Sequence, residues 1–156
     1  MRVLLILVSV LFSSPTLANS YTSVGQFGWF AVGNTTQVSE TQMYWTGEFS
    51  GTYFADEEGH FLNNASMRCP GSMEIDLANN AQKARGYCMF SDLNGNKGSF
   101  EWAGSGTIGD MSGSFTWISG DGPFSELVGQ SGDKFRGITI TNWADGMATG
   151  VAYWNK

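Results

Sequence analysis

From residue 43 to residue 53, apolar and small residues alternate with polar ones. Met43, Trp45, Gly47, Phe49, Gly51 and Tyr53 share one parity, and Tyr44, Thr46, Glu48, Ser50 and Thr52 mostly hold the other. Successive side chains of a strand point to opposite faces, so a beat of two predicts a half-buried β-strand. The same beat returns at Phe100 and Trp102, at Phe115 and Trp117, from residue 135 to 143, and at Met147, Thr149, Val151 and Tyr153. No window carries the stripe of a sustained amphipathic helix. Turn-forming residues separate these runs at short intervals: Asp56-Glu57-Glu58-Gly59, Ala78-Asn79-Asn80, Asn94-Gly95, Ile108-Gly109-Asp110, the segment 120 to 132, and Asp145-Gly146. Together they predict about eight strands connected as a meander.

Composition fits that reading, with 21 Gly, 14% aromatic residues and only 14% charged ones. Such a meander buries its apolar faces by closing as a sandwich or a barrel. The glycines inside the strands, among them Gly47, Gly51, Gly86, Gly104, Gly113, Gly137 and Gly150, favour the barrel, because sharply coiled strands need them at corners. The expected fold is all-β: a closed, calycin-like antiparallel β-barrel of about eight strands with one disulfide.

The disulfide follows from register. If Ala78-Asn79 is a two-residue turn between strands 69 to 77 and 80 to 88, Cys69 lies opposite Cys88, Glu74 opposite Lys83, and Ser72 opposite Arg85. Gly71, Met73, Ile75 and Leu77 then share a mostly apolar face with Gly86, Ala84, Gln82 and Asn80. One register thus yields a disulfide, a cross-strand ion pair and an inner face. A metal is not expected, because His60 is the sole histidine and no four-ligand set exists. No cofactor motif is present either.

The first 18 residues read as an export signal: Met1-Arg2, an apolar run from 3 to 12, then Ser13-Ser14-Pro15-Thr16-Leu17-Ala18. The apolar run is well short of the ~20 residues that span a bilayer, so a stable membrane anchor is not expected. Residues 19 to 156 would then form one barrel domain in the periplasm or outside the cell, where disulfides persist. Losing Arg2 and no acidic residue takes the formal charge from -6 to -7. An acidic surface repels phosphate backbones, which argues against nucleic-acid partners.

The C-terminal half resembles a known family. Gly86-Tyr87-Cys88, the turn Asp92-Leu93-Asn94-Gly95-Asn96-Lys97 with Trp102 after it, and Gly120-Asp121-Gly122-Pro123-Phe124 leading to Val128-Gly129-Gln130-Ser131-Gly132 carry the resemblance. They are similar to the bacterial exported branch of allene oxide cyclase-like barrels, a fold shared with plant dirigent proteins. The resemblance implies the barrel and, since such barrels assemble through their outer faces, a homo-oligomer. Plant cyclases hold a water near the barrel mouth with an acidic residue, an Asn and a Pro. None of these is matched here, so cyclase activity is not carried over. The Asp92 segment reads as a tight turn with Asn94-Gly95 at positive φ rather than a cation loop.

Candidate chemistry is sparse. His60 titrates near neutrality but reads as an exposed loop residue, Glu48 and Glu101 fall on the polar parity, and no Ser-His-Asp set can be argued from spacing. The segment Gly120-Asp121-Gly122 lacks the features of a phosphate loop and reads as a backbone corner. The aromatic parity is the stronger signal: Trp45, Phe49, Phe100, Trp102, Phe115 and Trp117, with Trp143 and Tyr153. A barrel of about eight strands is either just filled by side chains or holds one small ligand. In the second case these aromatics form a site for a small hydrophobic or amphipathic molecule. A binding module is the favoured reading. The alternative is a cyclase- or isomerase-like enzyme whose barrel shapes a hydrophobic substrate.

Overall fold

The computed structural model describes residues 23 to 143 and 145 to 155. The export signal expected over residues 1 to 18 and the domain start at residue 19 lie outside the described residues. Eight strands follow one another: β1 (Gly25–Gln37), β2 (Gln42–Ala55), β3 (Ala65–Asp76), β4 (Ala81–Ser91), β5 (Lys97–Thr107), β6 (Asp110–Gly120), β7 (Ser131–Asn142) and β8 (Ala148–Trp154). Each pairs antiparallel with its neighbours, and β1 pairs with β8, from Gly25 opposite Trp154 to Ala31 opposite Ala148, so the sheet closes as a barrel. Closure leaves no edge strand with unpaired backbone groups. Among the described residues, a short 3-10 helix, Gly122–Leu127, is the one interruption of the meander.

The β3–β4 hairpin has the expected register. Gly71 faces Gly86, Met73 faces Ala84, Ile75 faces Gln82, and Cys69 is bonded to Cys88. The turn itself differs from the expected two residues, because β3 stops at Asp76 and β4 starts at Ala81. The Asp76 carboxylate holds this loop, accepting from the Ala78 and Asn79 backbone N–H groups and the Asn79 side-chain amide. A capped loop of that length keeps the register while moving Leu77 and Asn80 out of the ladder. Glu74 and Lys83 are opposite each other, as expected, but close no ion pair. Among the described residues the outer face carries ion pairs elsewhere, in two bidentate contacts: Arg68 to Glu48 and Arg136 to Asp110.

The inner parity is as expected in β2, β5 and β6, and reversed in β8. There Gly150 and Trp154 are buried, while Val151 and Tyr153 lie on the outward parity with Thr149. Inside a closed barrel the radius is small, so β8 turns in its small residues with one large Trp at the end. Trp102 shows the same constraint. A Cβ on either Gly71 or Gly86 would come within 3.0 Å of its indole ring, so these two glycines give the ring the room it occupies against the wall.

Even-numbered connections and odd-numbered ones lie at opposite ends. At one end sit the loops 56 to 64, 92 to 96 and 121 to 130, with Ser23 and Asn155. At the other sit the short loops 38 to 41, 77 to 80, 108 to 109 and 143 to 147. The first end is shut. Segment 121 to 130, expected as a plain corner, folds inward as the 3-10 helix and drives Phe124 and Leu127 into the barrel beside Leu62. Gly98 and Gly120 make room for it, since a Cβ at either would meet Phe124 within 2.5 to 2.6 Å.

Candidate functional site

The open end leads into the barrel. Between the walls lies a cavity of about 70 Å³, bounded by rings such as Phe27, Phe49, Phe100, Trp102, Phe115 and Phe135. Above it the mouth widens to about 460 Å³, with Met43, Trp45, Ile75, Leu77, Ile108 and Trp143 around it. Trp29, Phe49, Met73, Gln82 and Thr139 belong to both, so they mark the throat where mouth and cavity join. About 70 Å³ is several times what one water occupies, and about half of a cavity known to admit benzene. The inner space is thus wide enough for a narrow apolar group, and the mouth for a bulkier one.

Strand parity places the rings. Phe100 and Trp102 are two apart on β5, and the ladder aligns Phe100 with Cys88 and Trp117, and Trp102 with Phe115. Several of the lining rings pack edge to face, Trp29 on Phe49 at 5.2 Å, Phe49 on Trp102 at 6.0 Å and Trp102 on Phe135 at 6.0 Å between ring centres. Trp45 donates from its indole N–H to the Gly146 carbonyl at 3.1 Å, tying the 143 to 147 loop to the barrel wall.

Charge is missing from this space. Among the described residues, no ionisable side chain lines either the cavity or the mouth, since Cys69 and Cys88 are joined to each other. Polar groups are few. Gln82 is buried, and its Oε1 accepts from the Gly109 N–H across a long 3.5 Å, while the Thr139 N–H donates to the Gly109 carbonyl at 2.8 Å. The tip of the β5–β6 hairpin is thus held between β4 and β7, with one polar spot at the throat. Deeper down, the buried Trp102 Nε1 has no hydrogen-bond partner.

Of the aromatics singled out in the sequence, Phe49, Phe100, Trp102 and Phe115 line the cavity, and Trp45 and Trp143 line the mouth. Trp117 does not join them. It lies in the shut end against Phe124, with ring centres 5.8 Å apart, and donates to Asp133. Tyr153 lies on the outward parity. Phe27, Trp29, Phe135, Trp154, Gln82 and Thr139 line the site without having been flagged. The β1 residues were hidden because Phe30 and Val32 make both of its parities apolar.

The titratable groups sit elsewhere. His60 is half-buried rather than exposed, its Nδ1 accepts from the Leu62 N–H at 3.1 Å, and burial lowers its pKa. It belongs to the 56 to 64 loop of the shut end. Glu48 faces outward, and hydrogen bonds from Arg68 and then Ser50 hold its carboxyl below the usual range. Glu101 is exposed. At the shut end Tyr53, fully buried, shares a 2.6 Å hydrogen bond with Ser23, and burial pushes its hydroxyl up to about 12. Asp92 is also buried. Burial opposes its ionisation, but donors from Asn96, Asn94 and Gly95 outweigh this and lower its pKa. Its own loop satisfies it, and only Gly95 of the expected Asn94-Gly95 pair has positive φ.

Neither the protein-family models nor the curated proteins compared with this chain give a match.

Proposed function

We propose that this protein is a small-ligand carrier or receptor that takes an apolar or amphipathic molecule through the open end of its barrel. The carrying observation is the continuous path from mouth to cavity, walled by aromatic rings and free of ionisable side chains among the described residues. Burial of apolar surface is what such a wall rewards, at ~25 cal/mol per Å² removed from water. Acid–base turnover needs a titratable group within reach of the substrate, and the lining supplies none. Binding is therefore the reading preferred over a cyclase- or isomerase-like reaction. Export to an oxidising compartment goes with it, supported by the Cys69–Cys88 bond. Membership of the allene oxide cyclase-like family belongs to the same proposal and rests on the motifs of the C-terminal half.

The test is a titration with butylbenzene, an uncharged probe narrow enough for the throat. Binding inside the cup should change tryptophan emission saturably at one probe per chain. No saturable change, together with no heat of binding by calorimetry, would remove the proposal.

A further inference from the structure

Gln82 and Trp102 are at odds with the rest of the lining. Buried side-chain donors are ordinarily paired, because an N–H taken from water without a new acceptor is costly. The Trp102 Nε1 has no acceptor. The Gln82 amide nitrogen also donates to no group among the described residues, the side chain's one hydrogen bond being through Oε1 to Gly109, but unlike the sealed indole N–H it is reachable from the open throat. The register separates the two in height, since Gln82 pairs with Gly106 and Trp102 with Gly86. The reachable donor thus stands at the throat and the sealed one in the deeper wall. Nothing in the lining offers a positive charge: Lys83 and Arg85 alternate with the inward Gln82 and Ala84 and lie on the outer face.

A reachable N–H donor in a cation-free apolar cup asks for an acceptor oxygen that carries no charge. A carboxylate would lose its hydration and gain no counter-ion. A hydrocarbon would strip water from the Gln82 amide and leave it unmet. Resting on the ligand-binding reading above, we infer that the cup takes an uncharged carbonyl compound, a ketone or ester. Its oxygen is received by the Gln82 amide at the throat, and its narrow apolar arm runs down past Trp102. The Thr139 side chain, on the other side of Gly109, completes the polar spot that fixes the carbonyl at that height. Specificity of this kind comes from a site whose polar groups are left unpaired by the wrong ligand.

Three probes of similar size separate the terms: butylbenzene, butyrophenone and 4-phenylbutanoate, titrated calorimetrically into the full chain. Butyrophenone should bind about tenfold tighter than butylbenzene, the range of one neutral hydrogen bond, and at least as far ahead of 4-phenylbutanoate. Gln82→Met should bring the ketone and the hydrocarbon to near equality, while Trp102→Phe should leave the gap between them unchanged. Equal binding of ketone and hydrocarbon by the unaltered protein overturns this inference and leaves the binding reading standing. So does tightest binding of 4-phenylbutanoate. A ketone preference untouched by Gln82→Met overturns the assignment to this donor. Failure of all three probes to bind removes the ligand-binding reading itself. Because the unaltered protein already discriminates these outcomes, a variant that does not fold leaves the test intact.

Discussion

The two ends of this barrel are made from the same strands and the same kinds of side chain, yet one is packed shut and the other is hollow. The difference lies in the connections. Loops 56 to 64 and 121 to 130 are long enough to turn inward, and they bring Leu62, Phe124 and Leu127 down onto Phe90 and Trp117. Loops 38 to 41, 77 to 80, 108 to 109 and 143 to 147 only reverse the chain, so the rings beneath them have no cover. Their tips and flanks instead expose Val38, Leu77, Ile140 and Trp143. A row of inward aromatics does not by itself decide between a filled core and a site. What the neighbouring loop delivers decides it.

Substitutions at the two ends should separate sharply. The largest effect is expected at the plug: Phe124→Ala empties a fully buried position and should lower stability by ~3–5 kcal/mol in urea unfolding, while butylbenzene still binds the folded fraction. A loss below 1 kcal/mol would mean that the shut end is not packed as described. Midway between the ends, replacing both Cys69 and Cys88 by Ala should cost ~3 kcal/mol, from a closed loop with 19 residues of separation. At the open end, Trp45→Phe removes the indole donor to Gly146 and should cost about 1 kcal/mol, with weaker probe binding as the 143 to 147 loop loosens.

The shut end also predicts a pH effect of known sign. Burial raises the Asp133 carboxyl above its ordinary pKa, against hydrogen bonds from Asn155 and Trp117. With the folded value above the unfolded one, the folded state holds the proton longer. Stability attributable to Asp133 is therefore greatest below the ordinary carboxylate range and falls as pH rises through the raised value. Asp133→Asn should stabilise the protein at pH 7 relative to its effect at pH 3, by urea midpoints at each pH. An equal effect at both would contradict this placement. The smallest change is expected at the rim, where Ile140 is 70% exposed: Ile140→Ser should move stability by less than ~0.5 kcal/mol. It should nonetheless raise the butylbenzene dissociation constant roughly threefold, since it removes apolar area from the mouth.

Local pattern carried the strands, the β3–β4 register and the disulfide, because each of these depends on residues close in sequence. It also placed Phe49, Phe100, Trp102 and Phe115 on the inner wall. It missed what depends on closure. Trp154 faces inward because β8 pairs with β1, a contact between chain ends that no short window contains. Its strand reads with the opposite parity, since Gly150 and Ala152 are too small to look like a core. Trp117 was read as part of the site because its spacing from Phe115 matches that of Phe100 from Trp102. Only the fold of the 3-10 helix reveals that a plug lies beneath it. Gln82, a polar residue on an inner face, is legible in the register, but no local pattern marks a lone amide as part of an apolar lining.

Asn155 accepts from the Lys134 N–H and donates to the Ser23 carbonyl, stitching the first and last described residues together beside Asp133. A tether joined directly at Ser23 or Asn155 therefore leaves from the side away from the mouth. Held to a surface or a bead by such a tether, the protein presents its cup outward, and a fused partner does not stand in the path of entry.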